Sequence, residues 1–520
     1  MIRLLLLSLS LFLFMPSCTL ETKGREEGTF VICNGSEPET LNPQLSVSVN
    51  DCRIARAIFE GLVSFHPETL VPEPGCAAWT VSEDGRTYCF KLNADAKWSD
   101  GSQLTADDFV YSWKLILTKK VPASYVSFFF FIDQAESFYR GRINDFGKVG
   151  IKAVSEKQLT VTLTRPVPYF PELLANPVFF PINRRCVEKF GSSWTQPGNM
   201  ISNGAFVLKD WKARQKVVVE KSKAYHGAEH VKLQRVEFLP YDNLETSYQL
   251  FLKGQIDWLP SAPTDKNDEI KFNPDYYVNP YLGTYFYRFN CSRPPFDNKL
   301  VRQAFSLSVN RAVIVNKVLG AGEQATSAFC PPIKCYKPAE GLGYNPKKAR
   351  ALLKQSGYAG KFPEVELFYN TSENHKKIAE AIVEQWRENL GVKVLLRNSE
   401  WKTFLADQKS LNYDISRSSW IGDYNDPETF MEVFVSDGGN NRTGWKNATY
   451  DDLFRRSRMT SGVERNKIFN QMERLLVRDE LPIIPIYYYI NRGFISERVE
   501  GWHENSLDIH PLKYISVKKQ

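Results

Sequence analysis

Apolar residues recur at helical spacing at Ile54, Ile58 and Leu62, which predicts a helix over residues 49–65 that ends in a loop at His66-Pro67. Ahead of it, residues 29–33 alternate as a short strand and run into the turn-rich Asn34-Gly35-Ser36-Glu37-Pro38. From 79 to 100 the period drops to two, with a strand over 87–92 and a turn at Trp98-Ser99-Asp100-Gly101. Thr105 then opens a helix carrying Phe109, Val110, Trp113 and Ile116, because its hydroxyl accepts from the free N–H groups of a first turn. Residues 159–163 alternate again and are closed by Pro166-Val167-Pro168. Strands follow over 216–221 and 235–239, with a helix near 245–253. Helical spacing returns over 299–307, 312–319, 346–356 and 375–389, the last burying Ile378, Ile382, Val383 and Trp386. Strands over 365–369 and 392–397 flank that helix, a β–α–β unit expected to be parallel and right-handed. Helices alternating with strands along 520 residues predict an α/β protein of two or three domains with its ligand in a crevice between them. Neither internal repeats nor low-complexity tracts interrupt the pattern.

The first residues break from it. Arg3 precedes an apolar run over 4–14, too short to span a bilayer, which needs ~20 apolar residues. Ser17-Cys18 then places a small residue directly before a cysteine, which resembles the bacterial lipoprotein signal in which the cysteine is acylated and becomes the new N-terminus. An ordinary signal peptide with a chance cysteine is the competing reading. Residues 1–17 are thus expected to be removed, and 18–27, polar and charged, to act as a tether. The rest is expected outside the cytoplasm, in the periplasm or cell envelope.

Charge excludes one class of partner. Sixty-six Lys and Arg against 59 Asp and Glu leave a net +7, with no basic run interleaved with aromatics, so nothing marks a nucleic-acid binder. The 34 Phe, 24 Tyr and 11 Trp suit well-filled cores and an aromatic-walled cavity alike. Eight cysteines follow Cys18: Cys33, Cys52, Cys76, Cys89, Cys186, Cys291, Cys330 and Cys335. An oxidising compartment permits disulfides, for example Cys76 to Cys89 across a hairpin turning at Glu83-Asp84-Gly85, or Cys330 to Cys335 around a tight loop. Free buried thiols are the alternative, and neither spacing is a zinc motif.

Catalytic signatures are missing. There is no Gly-x-Ser-x-Gly elbow, no phosphate-binding Gly-rich loop and no His-Glu-x-x-His. His226 and His230 stand four apart, but Gly227, Lys223 and Lys232 around them favour a polar loop over a metal site. With six histidines in the chain, acid–base options are few, and no cofactor, metal or enzymatic activity is expected.

Several blocks together resemble the peptide-binding family of bacterial periplasmic solute receptors, the oligopeptide-binding proteins of ABC importers. They are Trp98-Ser99-Asp100-Gly101 with Thr105-Ala106-Asp107-Asp108-Phe109; Pro166-Val167-Pro168-Tyr169-Phe170; Trp194-Thr195-Gln196-Pro197-Gly198-Asn199; Tyr369-Asn370-Thr371-Ser372; Glu400-Trp401-Lys402-Thr403-Phe404; Asp423-Tyr424-Asn425-Asp426-Pro427; and Tyr487-Tyr488-Tyr489. They fall in order over nearly the whole chain. The resemblance implies a two-lobed binding-protein fold with an additional domain. Domain I would comprise 28–59, 184–283 and 491–520, domain II 60–183 and domain III 284–490, the lobes closing over the ligand.

The same resemblance assigns the site. Asp423 matches the carboxylate that holds a peptide's ammonium, and Arg417 and His375 match positions that hold its carboxylate. Ser48 and Val49, with Ser419, Trp420 and Ile421, match segments that clamp the peptide backbone as an added strand. Trp401, Trp420 and Tyr489 match aromatic positions around the side-chain pockets. Two basic positions of the family become Gln408 and Leu319 here, and a family cysteine pair aligns to Gly283 and Ile421. The implied function is capture of short peptides and delivery to a membrane permease and its ATPase, by a monomer. Cell-wall (murein) peptides are the alternative ligand; a nickel or haem receptor and an extracellular peptidase fit less well.

Overall fold

The expected β–α–β unit forms. Strands Val365–Asn370 and Val394–Ser399 pair in parallel from Val365↔Val394 to Asn370↔Ser399, and the helix Glu373–Leu390 crosses between them. Ser372 caps that helix and Gly391 ends it at φ +69°, a left-handed conformation open to a residue without Cβ. Ile378, Ala379, Ile382 and Trp386 are buried; Val383, expected with them, is half-buried. The computed structural model describes residues 26–263, 266–333 and 336–518. The lipidation candidate Cys18 and the cysteine Cys335 lie outside them.

That unit is one end of a mixed sheet. Its strand order runs Val394–Ser399, Val365–Asn370, Ile415–Ile421, Tyr276–Phe289, Ile483–Ile495, Trp258–Leu259, Thr29–Cys33, Arg235–Leu239, Lys216–Lys221 and Phe206–Lys212. The two longest strands, of 14 and 13 residues, pair antiparallel in the middle and carry the sheet from one half of the molecule to the other. Their ladder is interrupted between Pro280↔Ile490 and Thr284↔Tyr488, where Tyr281, Leu282 and Gly283 stand against Tyr489 alone. A separate antiparallel sheet, Ala77–Val81, Thr87–Leu92, Gln158–Thr162 and Ile151–Ser155, belongs to the intervening chain. The helix Ala106–Leu117 belongs to the same stretch of chain. Its start is fixed by the Thr105 N–H, which donates to Asp108 Oδ2 at 2.8 Å, and its buried Trp113 indole donates to the Phe179 carbonyl at 2.8 Å.

Three expectations need correction. The helix at 49 stops at Ile58, and 63–65 pairs as a strand with Pro72–Pro74. The cause is tertiary: the Ile58 carbonyl accepts from Gly204 N–H at 3.0 Å, and Asn203 Oδ1 accepts from Glu60 N–H at 3.2 Å. Gly204 is needed there, since a Cβ would stand 2.5 Å from the Ile58 carbonyl carbon. Leu62 is therefore buried without being helical. Next, Cys76 and Cys89 are not bridged: the register sets Cys89 opposite Thr80, and Cys89 Sγ accepts from Gln158 at 2.9 Å. Cys33, Cys52, Cys186, Cys291 and Cys330 are free thiols as well. Finally, the helix at 312–319 widens after Arg311–Val313 into a turn with longer-range hydrogen bonds over Ile314–Leu319.

Candidate functional site

A cavity of about 480 Å³ lies against the strand Ile415–Ile421. On one side this strand pairs with Tyr276–Phe289 along its full length, from Gly283↔Ile421 to Phe289↔Ile415. On the other, its parallel neighbour reaches only Ile415 and Ser416. Beyond Ser416 the strand is a free edge. Gly422 N–H donates to the Leu282 carbonyl at 2.7 Å, so by the period of two, residues 421, 419 and 417 turn their N–H and C=O to the open side. The Arg417 carbonyl is taken by Gln408 Nε2 at 2.8 Å; the main chain of Ser419 and Ile421 is left open to an incoming strand. Gly283 and Ile421, the positions of the family's cysteine pair, do face each other. A Cβ on Gly283 would stand 2.3 Å from Ile421 Cδ1.

Asp423 stands just past the open edge. Its N–H donates to Thr429 Oγ1 at 3.0 Å, which fixes the turn, and Oδ1 accepts from Asn176 Nδ2 at 3.1 Å. Asn176 is itself held, because its Oδ1 caps the turn Pro177–Phe179 through Val178 N–H at 3.0 Å. Asp423 Oδ2 is buried without a partner. Burial pushes this carboxyl up to about 7, against the Arg56 guanidinium, the neighbouring Tyr125 hydroxyl and the Asn176 hydrogen bond. The following Asp426 is not part of the cavity; it is paired with Arg465 at 2.7 Å.

At the other end the strand presents a cation. Arg417 donates to the Tyr489 hydroxyl at 2.7 Å and to Asn370 Oδ1 at 3.3 Å, and its guanidinium lies 4.9 Å from the centre of the Tyr285 ring. Its Nε is buried without a partner. The Arg417 side chain projects on the same face as Ser419 and Ile421, opposite to Ser418 and Trp420. His375, in the first turn of Glu373–Leu390, has its ring 5.6 Å from that of Tyr285. Burial and the Arg417 charge hold it well below the usual histidine range, so it is a neutral imidazole whose Nδ1 has no partner.

The remaining expected residues line the same cavity, with different availability. Ser48 spends its hydroxyl on the helix Val49–Ile58, accepting Asp51 N–H at 3.1 Å. That leaves the Val49 N–H, which no helical carbonyl can reach, in the first turn beside the cavity. Trp401 stacks on Phe404 at 5.8 Å and Trp420 lies 6.2 Å from Tyr125; both indole N–H groups are buried and unpartnered. Gln408 is fully engaged, its Nε2 donating to Ser416 Oγ and the Arg417 carbonyl, both at 2.8 Å. Leu319 is a buried apolar wall. Sequence reasoning missed Asn176, Arg56 and Tyr125. Only Asn176 had a local signal, the turn-forming Asn-Pro pair.

His226 belongs to another structure. Its Nε2 meets Glu60 Oε2 at 2.6 Å, while His230 is exposed beside Glu229, and no group of metal-ligand side chains occurs among the described residues. Nor is any helix among them long and apolar enough to cross a membrane.

The pattern of the bacterial extracellular solute-binding proteins, family 5, matches residues 70–442. The periplasmic oligopeptide-binding protein OppA of Escherichia coli is 35% identical over 492 residues, covering 92% of this chain and 90% of that one. The solved structure of the Escherichia coli murein tripeptide binding protein MppA superposes with a TM-score of 0.91 at 34% identity, over 95% of this chain and 99% of that one. The unliganded open form of MppA, over 95% and 98% of the two chains and at the same 34%, reaches only 0.61. The two halves of this chain are therefore set differently from that open form, in keeping with the Asn176–Asp423 contact that joins them.

Proposed function

The chain belongs to the bacterial extracellular solute-binding proteins of family 5, and from that membership we propose that it is the receptor component of an ABC importer, capturing short peptides by their backbone and termini and delivering them to a membrane permease and its ATPase. The observation that carries this reading is Asp423 Oδ2, a buried carboxylate oxygen without a partner at one end of an open strand edge, with Arg417 at the other. A peptide zwitterion supplies what each lacks. Its ammonium pairs with Asp423, its backbone adds to Ser419 and Ile421, and its carboxylate meets Arg417, with neutral His375 as a hydrogen-bonding neighbour. Six strand steps of about 3.3 Å separate Arg417 from Asp423, roughly 20 Å, and two side chains reaching inward shorten this to a few peptide residues.

Several parts of the reading go with the family. Residues 28–59, 184–283 and 491–520 form domain I, 60–183 domain II and 284–490 domain III. The long strands Tyr276–Phe289 and Ile483–Ile495 are the crossings about which the lobes close. The protein acts as a monomer without catalysis, held to the membrane by acylated Cys18. Native mass spectrometry of protein purified from its host, followed by sequencing of what denaturation releases, tests the function. Mixed short peptides support it; a metal, haem, or no peptide even after peptide is added overturns it.

A cell-wall peptide is the second reading. It is favoured by the replacement of two family cations by Gln408 and Leu319 and by the likeness to MppA. A single murein peptide in the same experiment selects it.

A further inference from the structure

Peptide termini do not use all the charge in the cavity. Arg288 and Arg442 line it too, both buried. Arg288, on Tyr276–Phe289, donates from Nε to Ser418 Oγ at 2.8 Å and from Nη1 to the Asn440 carbonyl at 2.9 Å. Arg442 reaches Gln408 Oε1 only at 3.4 Å, and its Nε is buried without a partner. Neither Nη2 makes a hydrogen bond to the described protein. Burial and the neighbouring Arg442 charge lower Arg288 to about 9. The acid that acts on Arg442 is Glu39, which is already bonded to Lys409 at 3.0 Å. Arg442 therefore shares its carboxylate with Lys409 and Arg288 has none acting on it, and a buried charge left unpaired is costly.

Strand geometry says which part of a ligand meets this surplus. With its ammonium on Asp423, a peptide runs antiparallel to Ile415–Ile421, so its first residue stands opposite Ile421 and its second opposite Trp420. Opposite residues share a face. Ser416, Ser418 and Trp420 point to one face, and Arg288, paired with Ser416, shares it. Arg417 points to the other.

Resting on the peptide reading above, we propose that Arg288 and Arg442 select a peptide whose second residue carries an anionic group. One carboxylate there accepts the free guanidinium donors and balances the surplus charge, a role the terminal carboxylate on the Arg417 face cannot fill.

Titration calorimetry of the full chain, freed of bound ligand, with Ala-Glu-Ala, Ala-Gln-Ala and Ala-Lys-Ala tests this at low ionic strength. The Glu peptide is expected to bind about tenfold or more tighter than the Gln peptide, the scale of a charge-assisted hydrogen bond, with the Lys peptide weakest. In Arg442→Met the Glu-to-Gln ratio is expected to fall toward one. Equal affinities within twofold, or preference for Lys, in the unaltered protein overturn the inference while leaving peptide capture standing. Failure of all three to bind removes the peptide reading and the inference with it. A fourth ligand, Ala-γ-D-Glu-Lys, carries its anion as an α-carboxylate branch. If it binds more tightly than Ala-Glu-Ala, the anion is that of a cell-wall peptide; if more weakly, an ordinary acidic side chain.

Discussion

Asn176 Nδ2 donates to Asp423 Oδ1 at 3.1 Å, joining two residues 247 positions apart. Asp423 lies at the end of the ligand strand and Asn176 in the chain that carries the separate four-stranded sheet. One oxygen of the ammonium-binding carboxylate is thus oriented by the opposite half of the molecule. Asn176→Ala is expected to weaken peptide binding about fivefold, the scale of one net hydrogen bond of ~1 kcal/mol. Calorimetry reading an unchanged affinity would show that Asp423 is held without it.

Asp423→Asn keeps the shape and removes the charge. Losing a charge-assisted bond of about 1.5–3 kcal/mol lowers affinity by roughly 10- to 150-fold. A change below threefold in the same titration is incompatible with Asp423 as the ammonium partner.

The pH dependence has a definite sign. In the empty site Asp423 titrates near 7, raised by burial, and a bound ammonium draws it down. Binding below pH 7 must therefore expel a proton, and affinity is expected to fall as pH drops from 8 to 5.5. Calorimetry at pH 6 in two buffers of different ionisation enthalpy should show proton release, absent in Asp423→Asn. The unliganded protein behaves oppositely. Asp51 and Asp423, both raised to about 7, contribute a relative stability that is present below about 4 and lost as pH rises through 7. Asp51→Asn should reduce that loss in thermal melts between pH 5 and 8; an unaltered slope refutes the assignment.

Glu428 binds the two halves in another way. Its Oε2 accepts from the Tyr169 hydroxyl at 2.6 Å and from Arg465 at 2.6 Å, and Arg458 holds Oε1 at 2.7 Å. Burial opposes the charge, but Arg458 and Arg465 prevail and hold the carboxyl down at about 2, so this stability is present above the ordinary glutamate value and lost as pH falls through 2. Glu428→Gln takes the charge from a fully buried carboxyl, leaving half-buried Arg458 without its close partner and Arg465 with Asp426 alone. It is expected to cost about 3–5 kcal/mol in urea unfolding, far more than a surface pair.

Gly283 and Ile421 are cross-strand partners in the non-hydrogen-bonded class, since Gly422 N–H to the Leu282 carbonyl fixes the alternation. Such pairs bring Cα atoms to about 4.5 Å, within disulfide range. Gly283→Cys with Ile421→Cys should oxidise to completion in air, as thiol titration and intact mass will show. Persistent thiols would contradict the register.

Hydrophobic period made the β–α–β unit legible, because that signal is local; the Ser372 cap and the Gly391 stop set its helix bounds at 373 and 390 rather than the expected 375 and 389. The helix from Val49 was over-read for the opposite reason. Leu62 keeps helical spacing with Ile58, but the Ile58 carbonyl bonds to Gly204, a partner no local window contains. Asp423, Arg417 and His375 were found only through the order of family blocks, since nothing in their own neighbourhoods distinguishes a ligand carboxylate from a turn. Arg288 and Arg442 had no signal at all. They belong to separate segments, and only the pairing that brings Ser416 and Ser418 beside Arg288 sets them at one cavity.

Where the ladder between the long strands breaks, three residues face Tyr489 alone. A joint at which these two strands are already unpaired from each other can bend without breaking bonds of their shared ladder, so moving between open and shut need not sacrifice them. Such a device has little intrinsic preference of its own, and the occupant of the cavity becomes the deciding weight on the balance.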